Sequence, residues 1–197
     1  MSEIVQKGGW NSNNTQIVIK DSIVDMIRSP SIFMQLVSIL AKSPKNEGDT
    51  LDEYESYDIE IKISHNEIIK YRDQIEYYYV YVSMIENAYS TLNESGVSAR
   101  ETALDNINSC YKKCVGDLLL KNKSMLLKCK NKMERKLLEL DLIKNNSDYI
   151  IECVIEHVKT KCINSISSIN CTIEEIENHS EFIVFHAFIE CKVLEKP

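Results

Sequence analysis

Apolar residues recur at three- and four-residue steps over most of the chain, which is the spacing of one face of an α-helix. Residues 31–42 have apolar positions around most of the circumference, so a well-buried helix is predicted there. Two longer apolar stripes occupy residues 68–92 and 98–118, with a short linker around Gly96 between them. Because the linker is short, these two helices are predicted to form an antiparallel hairpin.

Sequences of the form Ser/Thr-x-x-Glu occur at Ser64, Ser98 and Thr172. In such a capping box, the hydroxyl and the carboxylate each accept a hydrogen bond from a free backbone N–H at the start of a helix. All three are therefore predicted to begin helices. Residues 119–143, with an interruption near residues 121–124, and residues 149–166 are also helical by their periodicity.

A few segments alternate between apolar and polar residues, as strands do. TQIVIK at residues 15–20 and DIEIKI at residues 58–63 could pair as a two-stranded ribbon supported by the helices. The intervening residues 43–57 have the composition of a loop. Residues 182–194 fit both periods, and helix is favoured because their neighbours are helical.

The predicted fold class is mainly α, a helical bundle with the hairpin and the small ribbon. Apolar residues make up 44% of the 197 residues, which is enough for one core, and the five glycines and three prolines are too few for a typical all-β fold. We expect a flexible polar lead-in over residues 1–14 and a single helical domain over residues 15–197.

The sequence indicates an intracellular setting. It lacks a secretory signal, and no apolar run approaches the roughly 20 residues of a membrane span. The seven cysteines are irregularly spaced and include no CxxC pair, which is typical of reduced thiols. A cytoplasmic protein that does not bind membranes is therefore expected.

Recognisable catalytic motifs are missing from the sequence: it contains no GxxxxGK[ST] or GxGxxG phosphate loop and no GxSxG elbow. The nearest constellation is Cys153 and His157, one helical turn apart and flanked by Glu152 and Glu156. A structural zinc site would need two more ligands at suitable spacing. We therefore predict no enzyme, no metal and no cofactor, and keep catalysis by these four residues as a minor alternative.

A tyrosine-rich stretch is the first candidate binding surface. Adjacent tyrosines on a helix point in different directions, so Tyr77, Tyr78 and Tyr81 cannot all be core residues if Tyr79 packs inward. Exposed tyrosines commonly anchor protein interfaces. These three residues, with Phe182 and Phe188, are the predicted protein-interface residues.

Residues 112–136 form the second candidate surface. Nine basic and two acidic residues give this segment a charge of +7 in a chain of net charge −7. A solvated helix face is the simpler interpretation, and a nucleic-acid-binding accessory protein is the alternative function. The alternative would use Lys121, Lys123, Lys128, Lys130 and Lys132.

Two stretches resemble a known family. Residues 57–111, with IIKYRDQIEYYYVYVSMIENAYSTL and ETALDNINSCYKKC, and the tail AFIECKVLEKP are similar to the C-terminal helical domain of bacterial ABC-three-component defence systems, the group that includes Lamassu. The lead-in KGGWNSNNTQIVI is similar to the Asn-rich linker of such accessory domains.

The resemblance implies a non-enzymatic antiphage defence subunit that docks with a Rad50- or SMC-like ATPase and with an effector, such as a nuclease. DNA would then be reached through the complex. The sequence contains no effector domain ahead of this region, so we expect a stand-alone subunit or an effector on another chain.

Overall fold

A computed structural model describes residues 31–43, 53–79, 81–94, 96, 98–165 and 171–197. Within these ranges the chain forms nine helices and no strand, which confirms the mainly α class. The predicted lead-in at residues 1–14 and the segment 15–20 lie outside the described residues. The helices are α1 (Ile32–Lys42), α2 (Glu53–His65), α3 (Arg72–Tyr79), α4 (Val82–Asn93), α5 (Ala99–Lys121), α6 (Lys123–Leu126), α7 (Lys132–Lys144), α8 (Ser147–Ile163) and α9 (Ile173–Ile189).

The core is built around α1 and α9. Helix α1 packs on α4, α5, α8 and α9, and α9 packs in addition on α3, α4 and α5. Leu36 and Val37 of α1 and Ile183 and Val184 of α9 are fully buried. The prediction of a buried helix over residues 31–42 is confirmed, and Ser31 caps it by accepting a hydrogen bond from the Phe33 N–H at 3.2 Å.

The predicted β ribbon is wrong, because residues 58–63 lie inside α2. Ile59 and Ile63, four residues apart, are buried on the same side of this helix, and Ile61 between them is half-buried. The Lys62 amine donates a 2.6 Å hydrogen bond to the Ile189 carbonyl at the end of α9. The alternation DIEIKI therefore belongs to a helix that contacts the rest of the protein both through Ile59 and Ile63 and through Lys62. Helix α2 also includes residues 53–57, which were predicted to be loop.

The capping box predicted at Ser64 is also wrong, since it ends a helix instead of starting one. The Ile68 N–H donates to the Ile63 carbonyl and the Glu67 N–H to the Ser64 carbonyl, both at 3.2 Å, and Glu67 has a φ of 55°. This is the pattern of a helix C-terminus with a left-handed residue. The predicted single helix over residues 68–92 is correspondingly two helices, since α3 ends at Tyr79 and α4 begins at Val82.

Other predicted boundaries are confirmed. Thr172 and Glu175 form the capping box that begins α9, and α9 continues to Ile189, which confirms helix over most of residues 182–194. Helix α5 begins after Ser98 as predicted, but the Ser98 side chain makes no cap hydrogen bond, so the capping box predicted there is wrong. The Asn93 side chain instead accepts a hydrogen bond of 2.8 Å from the Ala99 N–H. Helices α4 and α5 pack on each other across this turn, as the hairpin prediction requires.

The C-terminal tail closes one side of the bundle. Asn66 and Glu195 exchange two hydrogen bonds of 2.9 Å, and Tyr111 donates a third of 2.9 Å to the Glu195 carboxylate. Val193 and Leu194 are 1% and 5% exposed. The last residues of the chain thus belong to the packed domain and join α2 to α5.

Candidate protein-binding groove

The segment before α3 is held in place by α8. The Asp148 carboxylate, in the first turn of α8, accepts hydrogen bonds from the backbone N–H groups of Ile69 at 3.0 Å, Lys70 at 3.1 Å and Tyr71 at 3.4 Å. The Lys70 amine pairs with Glu152, one turn further along α8, at 2.8 Å. These three N–H groups lie just before α3, so the Asp148 carboxylate ties the segment that leads into α3 to α8.

Of the two α3 tyrosines whose side chains the structure describes, Tyr78 faces inward. Its side chain is fully buried, and its ring lies 5.3 Å from the Phe182 ring and 6.1 Å from the Phe185 ring of α9. Burial raises the pKa of Tyr78 well above its usual value of 10.0. Tyr78 thus packs α3 against α9 and is not on the surface.

Tyr77, Tyr81 and Phe182 form an aromatic wall beside this contact. The Tyr81 ring stacks on Phe182 with a centroid distance of 5.7 Å and an angle of 13°, and Tyr77 meets Tyr81 edge-on at 5.2 Å. The Tyr77 and Tyr81 hydroxyls are hydrogen-bonded at 2.8 Å. Tyr77 remains 56% exposed, and its ring is already oriented by these contacts with Tyr81.

The aromatic wall borders a groove of about 480 Å³ between α3, α9 and the end of α1. Phe185 and His179 lie deeper in the groove, and the exposed Gln74 and Asn178 stand at its edges. His179 is 5.8 Å from Phe182 in an edge-on arrangement. Binding pockets typically combine apolar walls with a few polar groups in this way.

Two carboxylates give the rim of the groove an acidic character. Glu175 and Glu181 both line it. Partial burial raises the pKa of Glu181, and the nearby Glu177 acts in the same direction while Lys159 opposes it. The groove therefore suits a ligand with apolar and basic groups.

The five predicted interface residues divide into two sets. Tyr77, Tyr81 and Phe182 line the groove, while Tyr78 and Phe188 are 0% and 2% exposed and belong to the core. Sequence reasoning missed the groove residues of α9 near Phe182. The available signal was their spacing of three and four residues along the helix face that contains the predicted Phe182: Glu175, Asn178, His179 and Phe185.

A polar cluster lies on the opposite end of α9 from the capping box. His186 Nε2 is 2.7 Å from the Glu86 carboxylate, and the Arg100 guanidinium contacts Glu86 at 3.2 Å and Glu190 at 2.7 Å. Ligand atoms of Glu86, His186 and Glu190 lie within 4.8 Å of one another, a spacing that a metal ion could use. The cationic Arg100 already bridges both carboxylates, so the arrangement fits an ion-pair network.

The four residues of the minor catalytic alternative have separate partners. Glu152 pairs with Lys70, Glu156 with Lys159 at 3.0 Å, and His157 Nε2 lies 2.9 Å from the Asn106 side-chain oxygen. Cys153 is half-buried and faces Cys110 and Cys114 of α5, and burial is the main reason that the pKa values of those two thiols are raised. The structure does not bring these groups together around one point.

The lysines of the nucleic-acid alternative are all exposed: Lys121, Lys123, Lys128, Lys130 and Lys132. Lys121 lies over the Tyr149 ring at 5.8 Å. Within the part of the chain that the structure describes, the other four form no ion pair with a carboxylate. The basic segment is thus a surface feature.

None of the helices in the described ranges is both long enough and apolar enough to cross a membrane.

No curated protein and no solved structure shows a significant match to this chain. A family model, that of C-terminal domain 10 of the ABC-three component (ABC-3C) systems, matches residues 33–195. This match includes the helices that form the core, the aromatic groove and the buried tail. The chain therefore belongs to the C-terminal domain 10 family of ABC-three-component systems.

Proposed function

We propose that this chain is a non-enzymatic docking component of a bacterial antiphage defence complex. Family membership supports a role within a multi-component system of the ABC-three-component type. In our proposal, the chain binds an SMC-like ATPase and an effector of the same system and positions one against the other. Its contribution is a binding surface, and the chemistry belongs to the other chains.

The aromatic groove carries this proposal. Tyr77 keeps 56% of its surface exposed, yet its ring and hydroxyl are both fixed by Tyr81. An aromatic ring that is oriented before binding loses little conformational freedom when it contacts a partner. Buried tyrosine contacts are also among the most frequent sources of binding energy in protein interfaces.

The rim of the groove indicates which segment of a partner would enter. Glu175 and Glu181 place negative charge next to the Tyr81–Phe182 stack. Arginine is suited to such a place, because its guanidinium pairs with carboxylates and stacks on aromatic rings. We therefore propose a basic segment with apolar anchors as the occupant of the groove.

The test is co-expression of the full-length chain with the proteins encoded beside it, followed by affinity purification and mass determination of the complex. Two variants address the groove at exposed positions. Tyr77→Ala deletes an exposed ring, and Asn178→Trp places bulk at an exposed groove position of α9. Ile163→Ala, which deletes an apolar side chain that is 64% exposed elsewhere, is the matched control.

The wild-type and Ile163→Ala chains should recover a stoichiometric complex, and both groove variants should weaken it by about tenfold or more. Recovery of equal complex with both groove variants would show that the groove is not the docking site. A wild-type chain that purifies alone from the co-expression would overturn the docking function itself.

A nucleic-acid-binding accessory function is the second candidate. The exposed lysines of residues 112–136 favour it, since none of Lys123, Lys128, Lys130 and Lys132 has a carboxylate partner among the described residues. It predicts an affinity for a DNA duplex that falls steeply as salt rises. Binding that is absent at low salt would remove this candidate.

A further inference from the structure

The end of α5, α6 and the first half of α7 form a segment that contributes little to the core, residues 120–137, which we call the basic arm. Helix α6 buries one residue, Leu126. Helix α7 has 13 residues and also buries one, Ile143. Helix α7 packs on α5, α6 and α8. Most of the surface of α7 is therefore free to make other contacts.

Apolar side chains are exposed along the basic arm. Among the described residues, ten large apolar side chains are exposed, and five of them belong to the arm: Leu120 at 67%, Met125 at 48%, Leu127 at 71%, Met133 at 66% and Leu137 at 56%. Single exposed apolar residues are ordinary on a protein surface. A concentration of five within one short segment is typical of a surface that another protein covers.

The charge of the arm is opposite to that of the rest of the molecule. Residues 120–137 contain seven basic residues and one acidic residue, a charge of +6, which leaves −13 on the other residues of a chain with a total of −7. Arg135 pairs with Glu139 at 2.8 Å within α7. Lys128, Lys130 and Lys132 have no such partner among the residues that the structure describes, so their charges are available to an acidic surface.

The first turn of α7 is well formed despite this exposure. The Asn131 side chain accepts a hydrogen bond from the Glu134 N–H at 2.8 Å, and the Glu134 carboxylate accepts one from the Lys130 N–H at 2.7 Å. The first bond is that of an N-cap residue, and the second ties the residue before the cap to the helix. Met133 and Leu137 are one turn apart on the same face of α7, and Lys132 and Lys136 lie beside them on the helix surface.

We propose that the basic arm is a second docking surface, separate from the aromatic groove, and that it binds an acidic protein surface with an apolar pocket on another chain of the same system. The inference rests on the proposed function in one respect, namely that this chain works inside a multi-component complex. Met133 and Leu137 enter the apolar pocket, and the lysines pair with the carboxylates around it.

A protein partner accounts for the arm better than nucleic acid does. Phosphates would be bound by the lysines alone, and the exposed leucine and methionine side chains would gain nothing from them. Single-stranded nucleic acid is usually held by aromatic rings, and none lies between residues 120 and 137. Apolar anchors surrounded by positive charge instead match the helix-in-groove mode of protein recognition.

The test uses the full-length chain co-expressed with the proteins encoded beside it. One variant, Met133→Ser with Leu137→Ser, removes the apolar anchors and keeps the charge. A second variant, Lys128→Glu with Lys130→Glu and Lys132→Glu, reverses charge and keeps the anchors. The matched controls are Ile163→Ser, and Lys161→Glu with Lys196→Glu, which change exposed residues elsewhere on the surface.

We expect both arm variants to reduce the recovered complex about tenfold or more while the controls leave it unchanged, and the complex with wild type to weaken as salt rises. Equal recovery with both arm variants would overturn the inference. So would a wild-type chain that forms a dimer of its own through the arm, seen as a mass that both arm variants halve.

Binding of a duplex DNA of about 30 base pairs tests the remaining explanation, that the arm binds nucleic acid and not a protein. If the wild-type chain and the Met133→Ser/Leu137→Ser variant bind this duplex equally, and only charge reversal abolishes both duplex binding and complex recovery, the arm is a nucleic-acid site and the inference is wrong.

The groove proposal and the arm proposal can be contradicted separately. Loss of complex with arm variants alone contradicts the groove, loss with groove variants alone contradicts the arm, and a wild-type chain that purifies alone contradicts both.

Discussion

Tyr77 and Tyr78 show how much a single step along a helix changes the environment of a side chain. Tyr77 is 56% exposed at the groove, whereas Tyr78 is fully buried against Phe182 and Phe185. Successive helical residues differ by about 100° in direction, so adjacent tyrosines cannot share one role. The sequence predicts this division, but not which tyrosine faces inward, because the start of α3 is set by Asp148 from a distant helix.

The Tyr78 hydroxyl is buried and has no hydrogen-bond partner among the described residues. An unsatisfied buried donor lowers stability by about 1–3 kcal/mol, so Tyr78→Phe is expected to raise the free energy of unfolding by about 1 kcal/mol. Urea unfolding followed by circular dichroism measures it. Tyr111→Phe is the opposite control, because the Tyr111 hydroxyl donates to Glu195 at 2.9 Å and its loss should destabilise the fold. A Tyr78→Phe variant as destabilised as Tyr111→Phe would show that the Tyr78 hydroxyl has a partner.

His186 is expected to make stability depend on pH. Its pKa is lowered from 6.5, mainly by burial, although the hydrogen bond to Glu86 opposes this shift, as do the charges of Glu86 and Glu190. Arg100 contributes in the same direction as burial, and the Tyr89 ring lies 5.4 Å away. Below pH 6.5 the unfolded chain therefore binds a proton that the folded chain does not, and stability falls as pH decreases towards the folded pKa.

The measurement is the free energy of unfolding of wild type and His186→Gln at about pH 7.5 and about pH 5. The free energy of unfolding should fall more for wild type than for His186→Gln when the pH is lowered from about 7.5 to about 5. His157, whose pKa is also lowered by burial, is present in both proteins and cancels in the comparison. Equal losses would mean that His186 does not titrate differently in the folded state.

At the scale of elements, the helices that bury a continuous apolar stripe could be predicted from the sequence, and α2, which does not show one, could not. Helices α1, α5, α8 and α9 bury long stripes, so their apolar periodicity is clear from the sequence. Among the side chains of α2 that the structure describes, Ile59 and Ile63 are buried on one side and the intervening Lys62 contacts α9, so the pattern of this helix imitates a strand. The Ser64–Glu67 sequence has the residues of a capping box, but Glu67 adopts a left-handed conformation that sequence alone does not reveal.

Two glycines, one in the turn between α4 and α5 and one inside α5, test the backbone conformation at their own positions. Gly96, in the turn, has a φ of 86°, while Gly116 lies inside α5, and a Cβ at either position would meet nothing within 4 Å. Backbone conformation therefore decides the effect. Gly96→Ala is expected to lower the free energy of unfolding by about 1 kcal/mol, and Gly116→Ala to raise it by about 0.5–1 kcal/mol. Thermal unfolding of both variants measures it, and a destabilised Gly116→Ala with an unchanged Gly96→Ala would contradict these assignments.

At the scale of the whole molecule, charge and apolar exposure are distributed unevenly. The aromatic groove lies between α3, α9 and the end of α1 with Glu175 and Glu181 at its rim, whereas the basic arm projects Leu, Met and Lys side chains from the α5–α7 side. The sequence predicted the positive charge of residues 112–136 and three aromatic residues of the groove, Tyr77, Tyr81 and Phe182. Their existence as separate surfaces depends on packing: the groove joins helices that are about 100 residues apart in the chain.

Family membership gives these two surfaces a context. The match to C-terminal domain 10 of the ABC-three-component systems covers residues 33–195, and thus both the groove and the arm. A domain that belongs to a multi-component system and carries two chemically different surfaces is suited to hold two partners at once. In that arrangement, the acidic rim of the groove selects a basic segment and the basic arm selects an acidic one.

The most direct test of docking through the groove is site-specific photo-crosslinking in the complex formed by co-expression with the neighbouring proteins. A photoreactive phenylalanine derivative replaces Tyr77 in one chain and, as the control, Ile163 in another, because both side chains are more than half exposed. Our account predicts a crosslink from position 77 to a basic, apolar-containing peptide of another component, and none to that peptide from position 163. Crosslinks of equal yield from both positions, or a crosslink from position 163 alone, would contradict it.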